Sequence, residues 1–132
     1  MADIHKKKIL HRDLKSLNIF LKHENDVRVG GLGVAKVLNH TFFAKTFIGT
    51  PYYLSPEICE DKSYNDKSDV WALGCILYEL WTYRHPFTAR SQGGLILKIL
   101  NDNPEPINDC YSKELKNLLN LILKIMKNFQ VV

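Results

Sequence analysis

Cysteine is scarce in this sequence. Cys59, Cys75 and Cys110 are the only three in 132 residues, and no two of them share a Cys-x-x-Cys spacing. That excludes a disulfide framework and a cysteine-based zinc site, so reduced thiols in an intracellular protein are expected. Long apolar runs are missing too: no segment approaches the roughly 18 uninterrupted apolar residues of a membrane span. The first eight residues, Met1 to Lys8, lack the apolar stretch of a secretory signal. A cytoplasmic or nuclear location and no membrane partner are the expectation. Charge of one sign is also in short supply, with a net value of +4. Part of it sits in Lys6, Lys7 and Lys8, where no aromatic residue interleaves as a nucleic-acid surface would require. That run is expected to be a solvated face, and no nucleic-acid partner is expected. No internal repeat, low-complexity stretch or Gly/Ser linker divides the chain.

What is present fits one soluble domain with a core of its own. Hydrophobic residues make up 45% and charged residues 24%, which sets the chain apart from disordered tails. Asn18 to Leu21 and Val27 to Val29 are short β-rich runs around the polar stretch Lys22 to Asp26, and they predict a small hairpin. Residues from about Asn39 to Pro56 carry no period and hold Gly49, Pro51 and Pro56, which predicts a long loop of functional type. From Ser68 to Thr82 the chain is apolar on nearly every side, as expected of a helix in the middle of a domain. Two further helices are predicted. One spans about Gly94 to Leu100, ahead of Pro104 and Pro106. The other follows Ser112 and carries Leu115, Leu118, Leu119, Ile122 and Met126 at helical spacing. That stripe could face a membrane or a partner, but core packing is the commoner outcome. The fold class is mostly α with a small β-hairpin.

His11-Arg12-Asp13-Leu14-Lys15-Ser16-Leu17-Asn18 fits H-R-D-L-x-x-x-N, with five fixed residue types in eight positions. Downstream, in order, come Gly49-Thr50-Pro51-Tyr52-Tyr53-Leu54-Ser55-Pro56-Glu57, then Asp69-Val70-Trp71-Ala72-Leu73-Gly74, then His85-Pro86-Phe87. Together these resemble the C-terminal lobe of a protein kinase. The stretches Lys45 to Glu57 and Tyr64 to Cys75 resemble the NIMA-related serine/threonine kinases in particular, and the resemblance covers nearly the whole chain. It implies a partial protein kinase domain over residues 1–132.

The resemblance also implies roles. Asp13 would orient and deprotonate a substrate hydroxyl, Lys15 would steady the transferring phosphoryl group, and Asn18 would hold one magnesium ion. Thr50 would help to shape the serine/threonine site, and Phe20 would contribute to the floor under the adenine of ATP. His11, Arg12 and Asp69 would be structural, the aspartate accepting backbone N–H bonds from the catalytic loop. An isolated Asp at a helix start would otherwise be only an N-cap. Thr46 would be a regulatory phosphorylation site whose phosphate pairs with Arg12; by spacing alone it is an exposed loop threonine. Glu57 would pair with an arginine of a later Asp-Arg-Pro segment.

Three departures stand against that pattern. Thirteen residues after Asn18, where the family places Asp-Phe-Gly or Asp-Leu-Gly, the sequence reads Gly31-Leu32-Gly33. Glycine offers no side-chain oxygen to a hard cation, so magnesium and ATP are expected to be held poorly. The glycines followed by Val34-Ala35-Lys36 resemble a nucleotide-binding glycine loop, but Lys36 stands where its third glycine would be. They also follow the catalytic loop instead of preceding it. Only ten residues precede His11, so the N-terminal lobe is expected to be absent, with Ile4 to Lys8 the last turn of the helix that leads to the catalytic loop. The chain ends in Asn128 to Val132 without the Asp-Arg-Pro segment, which leaves Glu57 expected to lack its partner, at about 3–5 kcal/mol if it is buried. The expected function is therefore kinase-like phosphoryl transfer to protein Ser/Thr that this chain performs poorly or not at all. The alternatives are a non-catalytic module competing with a related full-length kinase, or a truncated product.

Overall fold

In the structure, a computed structural model, residues 1–34, 36–37, 51–125 and 127 are described. The hub is helix α3, Asp66–Thr82. Its start is fixed by a reciprocal capping box. The Asn65 side chain accepts the Lys67 and Ser68 N–H groups at 2.8 and 3.3 Å, while the Ser68 hydroxyl accepts the Asn65 N–H at 3.2 Å. Its end is set by Tyr83, which turns left-handed at φ 57° and closes onto the Glu79 carbonyl. Between these ends Trp71, Cys75, Ile76 and Tyr78 are buried, as the all-round apolar pattern requires. Leu80 is the exception at 58% exposed, on the outer side of the helix, while its neighbours Leu77 and Trp81 pack against the core.

Around α3 the remaining helices each contribute a narrow stripe. Helix α4, Gln92–Asn101, is capped by the Ser91 hydroxyl and buries Leu95 and Ile99, four residues apart on one face. Helix α5, Lys113–Asn120, is capped by Ser112 and runs into a π-type turn, Leu121–Ile125. That wider turn delays the rotation of the chain. Leu123, four residues after the buried Leu119 and on the same face, reaches the core, whereas Leu118 of the expected stripe is 45% exposed; Met126 lies outside the described residues. Trp71, Cys75, Tyr78, Phe87, Leu95, Ile99, Ile107, Leu119 and Leu123 form the main core. Leu14, Ala72 and Ile76 form a second cluster, on the side of α3 that meets residues 11–18.

The N-terminal part is lighter. Helix α1, Ala2–Lys6, precedes strand β1, Ile9–Leu10, which pairs antiparallel with β4, Lys36–Val37. Sequence periodicity did not anticipate that pair, since two residues carry no period. Strands β2, Ile19–Leu21, and β3, Val27–Val29, form the expected hairpin, with Phe20 opposite Arg28. Its turn closes through the Asp26 N–H to the His23 carbonyl, with Asn25 left-handed at φ 66°. The short helix α2, Pro56–Cys59, precedes α3; residues 39–50 of the expected long loop lie outside the described residues. None of the described helices is long and apolar enough to cross a membrane.

Candidate active-site loop

Residues 11–18 connect β1 to β2, and their position follows from one side chain on α3. The Asp69 carboxylate, 0% exposed, accepts the His11 N–H on Oδ2 at 2.9 Å and the Arg12 N–H on Oδ1 at 3.0 Å. Each oxygen takes a second donor: His5 Nε2 lies 2.8 Å from Oδ2, and the Tyr64 hydroxyl donates to Oδ1 at 2.6 Å. Burial by itself would raise the Asp69 pKa, but the bonds from Tyr64, Arg12, His11 and His5 outweigh it and hold the carboxyl below its ordinary range. Burial and the adjacent Asp69 push the Tyr64 phenol the other way, far up.

His11 fastens the other end of the loop. Its Nε2 lies 2.7 Å from the Gly30 carbonyl, and its Nδ1 accepts the Asp13 N–H at 3.3 Å. Both bonds are satisfied by the neutral ring with the proton on Nε2. Asp13 is thus brought beside Lys15 and Asn18. Lys15 Nζ lies 3.1 Å from Asp13 Oδ2, and the Asn18 amide donates to the Asp13 carbonyl at 2.7 Å and to Oδ2 at 3.1 Å. The three residues meant to handle the hydroxyl and the phosphate therefore converge. Arg12, immediately before them, has φ 70°, a left-handed conformation that non-glycine residues seldom adopt.

Asp13 and Lys15 face a cavity of about 520 Å³. Pro51 to Ser55, Glu79 and His85 also line it. A polar chain runs through this lining: the Tyr53 hydroxyl donates to Glu79 Oε2 at 2.6 Å and lies 3.0 Å from Ser16 Oγ. Burial, reinforced by Glu79, raises the Tyr53 pKa. The His85 ring stacks on Tyr52 with centroids 3.9 Å apart and planes 8° apart.

On the Gly31 side the site offers less. Gly31 is left-handed at φ +82°, and a Cβ placed there would lie 2.3 Å from Asn18 Nδ2. The Asn18 amide therefore fills the space that a side chain at position 31 would need. Phe20 is 54% exposed and packs beneath Gly30, where an added Cβ would lie 2.6 Å from its ring. Among the described residues no group of three or more His, Cys, Asp and Glu side chains converges as a metal site.

Two further expectations meet different outcomes. Glu57 is buried at 6% exposure, and its carboxylate accepts the Ser68 hydroxyl on Oε1, so a neutral donor meets it where the resemblance implies an arginine. The cause is local: the capping box at the start of α3 turns the Ser68 hydroxyl toward α2. Thr46 and Thr50 lie outside the described residues. Sequence reasoning missed His5, Ser16, Tyr53, Tyr64 and Glu79. Their partners are between 5 and 64 residues away along the chain, and no spacing rule links such pairs. The cysteines behave as expected, all three being free, with burial and the nearby Glu57 pushing the Cys59 thiol up to about 12.

Comparison with known proteins agrees with this geometry. A family model described as protein kinase domain matches residues 1–129. The chain is 54% identical over 125 residues to serine/threonine-protein kinase Nek1 of Mus musculus, covering 94% of this chain and 10% of that protein. It is 49% identical over 127 residues to serine/threonine-protein kinase Nek5 of Homo sapiens, covering 95% of this chain and 18% of the relative. Against the G2-specific protein kinase nimA of Emericella nidulans identity is 47% over 117 residues, 89% of this chain and 17% of the relative. The chain spans less than a fifth of the length of each of these three relatives. It belongs to the protein kinase domain family, and the relatives it is similar to are Nek and nimA kinases.

Proposed function

We propose that these 132 residues are a partial kinase domain that forms the phosphoacceptor-binding side of a NIMA-related serine/threonine kinase and does not transfer phosphate unaided. One observation carries the reading. Asp13 is held by Lys15 and Asn18 at the mouth of the cavity beside Pro51 to Ser55, while Gly31 supplies no carboxylate next to Asn18. A protein segment bearing Ser or Thr would lie in the cavity with its hydroxyl toward Asp13. ATP and magnesium are the family's co-reactants, but the donors around Asn18 do not fit them. Asn18 brings a single neutral oxygen, its amide nitrogen is committed to Asp13, and Asp13 Oδ2 already faces Lys15. Loss of one preorganised neutral donor costs roughly 10²–10³ in rate, and loss of an anionic one at least as much.

The test combines two titrations of the purified chain. A Ser/Thr peptide is expected to shift the NMR signals of Ser16, Tyr53 and His85, whereas magnesium with ATP should neither raise Tm nor produce phosphopeptide. Magnesium-dependent transfer that disappears in Asp13→Asn would overturn the reading. Gly31→Asp alone is expected to give no transfer and a lower Tm, since the new side chain must displace the Asn18 amide and adopt a left-handed backbone.

A further inference from the structure

The cavities beside Tyr78 and the exposed apolar face of the β2–β3 hairpin hold nothing that specifies an occupant. The polar cluster around Asp69 reaches further. We infer that Tyr64 is a positioning residue for Asp13, gripping the preceding residue, Arg12, at both ends. Its hydroxyl and the Arg12 N–H bond to the same oxygen, Asp69 Oδ1, at 2.6 and 3.0 Å. Its ring lies under the Arg12 guanidinium, with Cζ 5.8 Å from the centroid. Arg12 sits at φ 70°, and a left-handed residue holds only when its surroundings specify it. The backbone leaves Arg12 directly into Asp13, so the φ of Arg12 sets where the Asp13 carboxylate points.

Tyr64 also ties this hold to α3. It stands one residue before the Asn65 cap and five before Asp69, so the segment that starts the central helix and the turn that aims Asp13 share one side chain. His5 fills the matching position on the other oxygen, Oδ2, where its partner in the loop is the His11 N–H. The two side chains therefore divide the loop. Tyr64 governs the Arg12 half, and His5 governs the His11 half. The inference rests on the reading of Asp13 as the group that meets the phosphoacceptor, but its test does not depend on that reading.

Tyr64→Phe keeps the ring and deletes the hydroxyl, whereas Tyr64→Leu deletes both. In amide NMR of the whole chain, Tyr64→Phe is expected to move the Arg12 N–H signal and speed its hydrogen exchange about tenfold. The amides of Leu95 and Ile99 in the core should keep their rates. Tyr64→Leu should extend the change to the Asp13 amide and the Arg12 side-chain signal, with Phe as the partial rescue. Equal acceleration at Arg12, Leu95 and Ile99 would mean a global loss of stability and would overturn the inference. So would an unmoved Arg12 signal in Tyr64→Phe. The wild-type chain gives a check that needs no variant: the Tyr64 hydroxyl proton should appear as a slowly exchanging resonance, and averaging with water would overturn the inference. If the wild-type chain binds no Ser/Thr peptide while the Arg12 signature holds, the phosphoacceptor reading fails and the loop assignment stands.

Discussion

Asp69 is a buried anion with each oxygen shared by a loop amide and a side chain. Hydrogen bonds to a charged group contribute about 1.5–3 kcal/mol each, enough for four of them to outweigh desolvation, as the lowered pKa reflects. The sign follows from linkage. A folded-state pKa below the unfolded value gives stability that is fully present above the ordinary carboxylate range and is lost as pH falls through the folded value. Unfolding free energy is therefore expected to drop as pH descends below about 4, with the His11 and Arg12 amides losing protection first. Asp109 and Glu114 are also held low, by Lys116 and by the N-terminal turn of α5, but both are at the surface, where salt screens them. In 0.5 M salt the acid slope should persist in the wild type and flatten in Asp69→Asn, as read by urea unfolding at several pH values; an unchanged slope would assign it to other carboxylates. His11, Arg12, Asp13, Lys15 and Asn18 could be picked out in the sequence because a short loop forces fixed spacings upon them, and Asp69 because it opens the Asp-Val-Trp-Ala-Leu-Gly stretch of α3. His5 and Tyr64 were not, since a single polar residue gives no sign of which distant carboxylate it will meet.

Helices were legible where a period runs long enough to be read, as in α3, α4 and α5. The places where the structure departs from that period are set by packing between elements. Gly74 is the clearest case. A Cβ there would lie 2.4 Å from Ile122 Cγ2 and 3.0 Å from Leu123 Cδ2, so α3 meets the π-type turn through a missing side chain. The widened turn and the glycine are one feature seen from two elements, and helical spacing reveals neither. Gly74→Ala isolates it. Helix propensity favours alanine by about 1 kcal/mol, whereas forcing a methyl group into a filled contact costs about 1–3 kcal/mol. Ile122 is β-branched and has little rotamer freedom to give way. Net destabilisation is therefore expected in urea unfolding, and adding Ile122→Ala should recover part of it. A stabilised single mutant would show that α3 and the turn separate easily.

Across the molecule stability is expected to be graded, because α3 is packed on two sides while the hairpin is barely covered. The main core and the Leu14–Ala72–Ile76 cluster both close on α3, so its amides can exchange only when the whole domain opens. In the hairpin Phe20, Leu21, Val27 and Val29 are 54%, 78%, 59% and 40% exposed, and local opening there releases little buried apolar area. The site straddles this gradient. Asp13 is hung from α3 through Asp69, whereas Asn18 and Gly31 border the hairpin strands. The Asp13 side should therefore stay formed while the Gly31 side opens and closes. Hydrogen exchange with residue resolution tests this directly. Amides from Trp71 to Tyr78 should be protected at least about 100-fold more than those of Phe20 and Arg28, a gap of roughly 3 kcal/mol between global and local opening. Uniform protection across both regions would mean that the hairpin folds as one unit with α3, and would place Asn18 and Gly31 on the same rigid body as Asp13.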